Sequence, residues 1–255
     1  MSERLRQDRV TGLNTTGLRI WGMVFLVLAN AGKALLQNRL LNMIGTVDLM
    51  AALEAEGGMM IATFALILQI VEGLAIPVFC FLLVEGAMHT ADLNKYLLRV
   101  AGLAVVTEIP YNFAMSGKLL DFSTRNPVFA MALGLVLIWF YNRYSARGIK
   151  NTAIKLLVTL CGVLWAGMLA VEHGICCVVV VAALWLFRTK PSLRNLAGGC
   201  AMMLCCMLSL FYMAAPMGFL IVHFYNGEKG PSAKAVNYLV YPVALLAIGI
   251  IGMFL

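Results

Sequence analysis

The sequence predicts an all-α fold: a polytopic transmembrane helix bundle of about eight spans. Three observations predict it. Of 255 residues, 62% are hydrophobic and 12% charged, with a mean hydropathy of +0.90, whereas a soluble domain is about a quarter charged. A water-soluble fold would have too little polar surface. The apolar residues fall in runs of about 20, the length that crosses a bilayer as a helix. Finally, the basic residues divide unequally between alternate polar breaks, as they do around membrane spans. Residues 1–255 read as a single transmembrane domain, in which 1–16 form a short basic N-terminus.

The spans are expected near 17–36, 61–88, 96–114, 127–144, 152–171, 173–187, 196–224 and 235–255. Arg4, Arg6 and Arg9 precede the first like a signal-peptide n-region, but no small-residue cleavage site follows, so it reads as an anchor. The break at 37–60 holds Asp48, Glu54, Glu56 and Gly57-Gly58. The second and seventh spans are long, and Pro77 and Pro216 are expected to kink or tilt them. The third span ends at Glu108-Ile109-Pro110-Tyr111-Asn112, and Asn126-Pro127 opens the fourth, with proline at a favoured helix start. Tyr225-Asn226-Gly227 and Gly230-Pro231 form the turn before the last span.

With the N-terminus in the cytoplasm of a bacterium, thirteen of the 19 basic residues fall inside the cytoplasmic (inner) membrane and six outside: Lys33, Arg39, Lys118, Arg125, Lys229 and Lys234. That bias predicts an even span count with both ends inside. The net charge of +7 then reflects membrane topology and calls for no nucleic-acid partner. The sharper alternative is that inner basic residues attract an anionic cosubstrate. Membrane lipid is the expected surrounding. The seven cysteines all lie in apolar stretches without zinc spacing, so they read as small buried hydrophobes and no metal is expected.

Chemistry is sought where ionisable groups interrupt apolar sequence, because each costs about 2.5–3.5 kcal/mol in a bilayer unless paired or facing a cavity. Glu85 and His89 are four apart, on one face of a helix. A carboxylate behind an imidazole is the arrangement of a general base, and equally of an ion pair tethering a helix end. Glu108 and Asn126, with Tyr225, Asn226, Tyr238 and Tyr241, are expected to collect at the outer face. An aromatic belt and turn chemistry explain the tyrosines and glycines, but not Glu108 or Glu72. His173 and His223 read as isolated interfacial histidines. No P-loop, dinucleotide fingerprint, zinc-protease or serine-hydrolase motif occurs.

Pro77-Val78-Phe79-Cys80-Phe81-Leu82-Leu83-Val84-Glu85-Gly86 with His89-Thr90, then Lys95-Tyr96-Leu97-Leu98-Arg99 and Glu108-Ile109-Pro110, resembles the hallmark segment of the TraX family. Asn126, Glu172-His173-Gly174, Tyr225-Asn226-Gly227-Glu228-Lys229-Gly230 and Tyr241-Pro242 follow in family order. The resemblance implies a membrane-bound acetyltransferase, drawing on acetyl-CoA or another acyl-CoA to modify the N-terminus of a pilin-like protein or another envelope acceptor, as the family's namesake does in conjugation. It implies His89 as base with Glu85 orienting it, Lys95 and Arg99 for the coenzyme A phosphates, and Glu108, Asn126, Tyr225 and Asn226 at the acceptor end. The sequence departs from the family at three places: Ala29-Asn30-Ala31-Gly32 stands where an Asp-His pair is usual, Gly73 where an Arg is frequent, and Ala244 where a His often follows the last proline. Two other readings stay open, a non-catalytic relative that binds an envelope partner and a transporter or flippase coupled through Glu72 and Glu108.

Overall fold

The computed structural model describes residues 12–42, 49–146, 148–231 and 234–255. Arg4, Arg6, Arg9, Asp48 and Arg147 lie outside the described residues. The elements are α1 (Thr15–Ala31, continued by a π-helical segment Gly32–Leu40), α2 (Leu49–Glu54), α3 (Gly58–Glu72), α4 (Ala75–His89), α5 (Leu93–Ser116), α6 (Val128–Arg143), α7 (Ile149–Met168), α8 (Gly174–Leu186), α9 (Pro191–Cys206), α10 (Gly218–His223) and α11 (Lys234–Ile251), with single 3₁₀ turns at Leu210–Tyr212 and Ala215–Met217. The all-α fold is as expected. Among the described residues, three segments are long and apolar enough to cross a membrane, Thr15–Leu40, Gly58–His89 and Ile149–Met168, and three shorter ones are also apolar.

The short, most apolar helix α8 is the centre of the bundle. It packs on α4, α6, α7 and α9, and buries Cys176, Cys177, Val178, Val180, Val181, Leu184 and Trp185. Lipid tails are as apolar as these side chains, so close packing rather than water exclusion holds the helices together. Small residues permit it. A Cβ on Gly198 would sit 2.4 Å from the Phe219 ring, and one on Gly218 would sit 2.4 Å from Pro77. At the other extreme, α7 buries only Ala166 and turns Leu156, Leu157, Leu160 and Leu164 outward, as a lipid-facing helix does. Cys80, Cys176, Cys177 and Cys205 are buried as expected, whereas Cys161 and Cys200 face outward.

The long second span breaks at Gly73-Leu74, whose N–H groups fall back on Ile70 and Val71 carbonyls at 3.1 Å. Pro77 is the cause: its ring displaces the carbonyl four residues earlier, that of Gly73, and it has no N–H to offer it. The third span runs on to Ser116, with Pro110 inside it, so Glu108 is two turns from its end and not at its edge.

The seventh span requires a larger correction. Residues 196–224 are not one crossing. The chain leaves α9 at Cys206, passes through both 3₁₀ turns and returns as α10 beside α9, with Gly198 against Phe219. Tyr225 then reaches Thr15, hydroxyl to hydroxyl at 3.2 Å, and Leu13 N donates to Phe224 O at 2.8 Å. The Tyr225–Gly230 turn therefore shares an end of the bundle with Thr15 and His89, opposite to the face expected for it. Helix α11 runs from there to the other end, where Gly249 meets Phe113 and Gly252 meets Arg39. The start of α1 and the end of α11 thus lie at opposite faces. Placing Lys229 and Lys234 with Thr15, and counting the undescribed Arg4, Arg6, Arg9 and Arg147 by their sequence neighbours, sharpens the charge bias to fifteen against four. A reporter inserted after residue 228 is expected to read the same side as one after 146, with a C-terminal fusion on the other side. Opposite readings at 228 and 146 would contradict the hairpin.

Candidate functional site

A cavity of about 660 Å³ enters the bundle at the Thr15 end. Its mouth carries Arg19, Arg99, Lys229, Glu85, His89 and Tyr225. Its throat is apolar, with Met23, Leu26, Ile76, Phe79, Leu83, Val100 and Met131, and its floor is polar, with Glu72, His173 and Tyr241. A second, smaller cavity of about 180 Å³ reaches Glu72 and His173 from the other side, past Lys33, Gln69, Glu172, Ser209 and Tyr212. The two cavities meet on one pair of side chains.

Several backbone irregularities of the bundle converge on this floor. Glu72 is the last residue of α3, directly before the Pro77 break. Lys33 follows the switch of α1 from α- to π-helix at Gly32. Tyr212 sits in the turn that interrupts α9 and α10. Irregular backbone at membrane depth survives where it lines a cavity, and π-segments gather at functional sites. His173 itself has φ +55°, with Ala170 at +49°, an uncommon conformation for residues with a Cβ. The loop is held there by Arg125, whose N–H donates to Ala170 O at 2.9 Å and whose carbonyl accepts from Glu172 N at 3.0 Å. Gly174 lets it close, since a Cβ there would lie 2.9 Å from Ala166 and Val171.

Glu72 Oε1 lies 3.1 Å from His173 Nε2, their side chains 6% and 14% exposed. The ring N is not aligned for a hydrogen bond with it or with any other described residue, so this is a charge contact that a small rotation would convert to a bond. His173 Nδ1 and the Tyr212 hydroxyl are 3.0 Å apart. On the far side, Lys33 Nζ donates to Glu172 Oε1 and the Tyr111 hydroxyl donates to Glu172 Oε2 at 2.8 Å. Two carboxylates against one ammonium leave one negative charge, which a proton on His173 would neutralise. Glu72, Glu172 and His173 also place one ligand atom each within 4.8 Å of one another, but the Lys33 ammonium already supplies the cation there.

The expected site residues divide. Glu85 and His89 do lie at the mouth, but the pair is not an interior one. His89 Nδ1 and Glu85 Oε1 are 3.7 Å apart and His89 is 72% exposed, with Nδ1 2.9 Å from its own helix's Glu85 carbonyl. Glu85 is held by Arg194 Nη1 at 3.1 Å and the Tyr225 hydroxyl at 3.3 Å, while Arg194 stacks 4.5 Å from the Phe81 ring. Glu85 thus clamps α4, α9 and the Tyr225 turn. Arg99 lines the mouth and Lys95 does not. Lys95 turns to Asp92 at 3.5 Å, whose carboxyl caps α5 and is held below the usual range by the Lys95 backbone N–H. Glu108 accepts from Asn126 Nδ2 at 2.6 Å and Arg125 Nη1 at 3.3 Å, a closed clamp that lines neither cavity. Asn226 builds the turn by accepting from Glu228 N at 2.9 Å. The missed residues were Lys33, Glu172, His173 and Tyr212. A Glu-His-Gly step with two ionisable groups between apolar runs was the signal available for two of them.

These features define an all-helical membrane protein built around a largely buried cluster of acidic and basic side chains that two cavities reach. The chain belongs to the TraX protein family, whose model matches residues 59–252. A protein of Dichelobacter nodosus described as a probable fimbrial assembly protein FimC, serogroup H1, is 28% identical over 211 residues, which cover 74% of this chain and 84% of its own length. No solved structure matches.

Proposed function

We propose that this protein is a membrane-bound acyltransferase that takes an acyl group from an acyl-coenzyme A and gives it to a pilin-like or other envelope acceptor, with His173 as the base. The observation that carries the reading is the cavity, basic at its mouth and ending on His173 and Glu72. Glu85 lies thirteen positions after Glu72, a rise of about 20 Å at helical pitch, which suits an extended pantetheine arm. Phosphates held by Arg19, Arg99 and Lys229 at the mouth then place the thioester at the floor, far from His89. The apolar throat excludes water that would hydrolyse it. The smaller cavity, opening onto the same imidazole beside Glu172, is the acceptor's side, and the fifteen-to-four charge bias supports a mouth that faces the bacterial cytoplasm.

The family and the fimbrial description of the relative support the pilin-like acceptor. Purified protein incubated with radiolabelled acetyl-CoA and a membrane extract should move label from the thioester to a protein. Label retained on coenzyme A with every extract would overturn the reading. Two cavities meeting on charged residues also favour a carrier as the second reading, and substrate flux independent of acyl-CoA would select it.

A further inference from the structure

Tyr241 of α11 lines the cavity floor with Glu72 and His173. It is 4% exposed, and its hydroxyl is buried with no hydrogen-bond partner among the described residues. Asn30 lies beside it, and an amide N–H of Asn30 donates to the Leu26 carbonyl at 2.7 Å. Buried hydroxyls in native structures nearly always have a partner, and an orphan calls for a reason. A donor left idle at the closed end of a substrate cavity has one: its acceptor arrives with the substrate.

We infer that the Tyr241 hydroxyl is the oxyanion donor of the site, meeting the carbonyl oxygen of an acyl thioester at the cavity floor; this rests on the acyltransferase reading. In the step, the acceptor's nitrogen or oxygen attacks the carbonyl carbon, and the new bond forms as the acceptor's proton passes to His173. The carbonyl oxygen gains negative charge, and Tyr241 donates to it. The C–S bond then breaks, and the thiolate leaves with the proton from His173. Donors fixed in place before charge develops stabilise the transition state more than the bound substrate. Pro242, directly after Tyr241 inside α11, frees the Tyr238 carbonyl and lets the helix bend at this depth.

The test is Tyr241→Phe, which keeps the ring and removes only the hydroxyl. Turnover with acetyl-CoA should fall about 10²–10³-fold, with KM for acetyl-CoA unchanged within about two-fold. The midpoint of thermal unfolding should hold or rise, because an unpaired buried group is lost. Three results would overturn the proposal. Turnover close to wild type would place the donor elsewhere. A clear drop in the unfolding midpoint, with turnover and KM moving together, would make the hydroxyl a structural partner of Asn30 or of a bound water. A wild-type protein that transfers nothing would remove the acyltransferase reading and this role with it.

Discussion

Replacing His173 with alanine is expected to lower acyl transfer about 10²–10⁴-fold, the usual contribution of a positioned base, while His89→Ala stays within about two-fold of wild type. The contrast follows from depth. His89 lies at the mouth among the groups assigned to the phosphates and is largely open to solvent. His173 lies at the floor, against Glu72 and Tyr212, at the one place both cavities reach. His173→Gln should lose as much as His173→Ala, since an amide bonds but does not take up a proton near neutral pH. Initial rates on protein that elutes as a single folded species in detergent would check it. Full activity in His173→Ala with loss in His89→Ala would return the base to the mouth.

The second large effect is on stability. Lys33→Met should destabilise the protein by about 3–5 kcal/mol, because it leaves the largely buried Glu172 carboxylate with Tyr111 as its hydrogen-bond donor among the described residues. Adding Glu172→Gln should recover most of the loss, as removing both charges is far less costly than removing one. Thermal unfolding in detergent would read both. A single variant that melts like wild type would show that Lys33 is not the counter-ion that Glu172 depends on.

Sequence pattern carried the helical class, most helix positions, the Pro77 break and the Asn126-Pro127 helix start, because hydropathy and proline act over a few residues. It did not carry the hairpin at Met207–Gly218. Residues 196–224 are apolar throughout apart from Ser209 and His223, and a window of hydropathy does not distinguish one long crossing from two short helices folded together. Ser209, Pro216 and Gly218 were the only local hints. The error displaced Tyr225 and Asn226 to the wrong face and assigned them to the acceptor. The floor was hidden for another reason. Lys33 and Glu172 are 139 positions apart, so no spacing rule joins them, whereas Glu85 and His89 are four apart and drew notice for a proximity that leaves His89 in solvent. Glu72 was legible as a carboxylate in apolar sequence, but its partner, His173, was not.

The most direct test of the donor path is a structure with a non-hydrolysable acetyl-CoA analogue bound. The sulfur should lie within contact of His173 and Tyr241, and the phosphates among Arg19, Arg99 and Lys229. An analogue whose sulfur sits beside His89, or which binds outside the cavity, would contradict it.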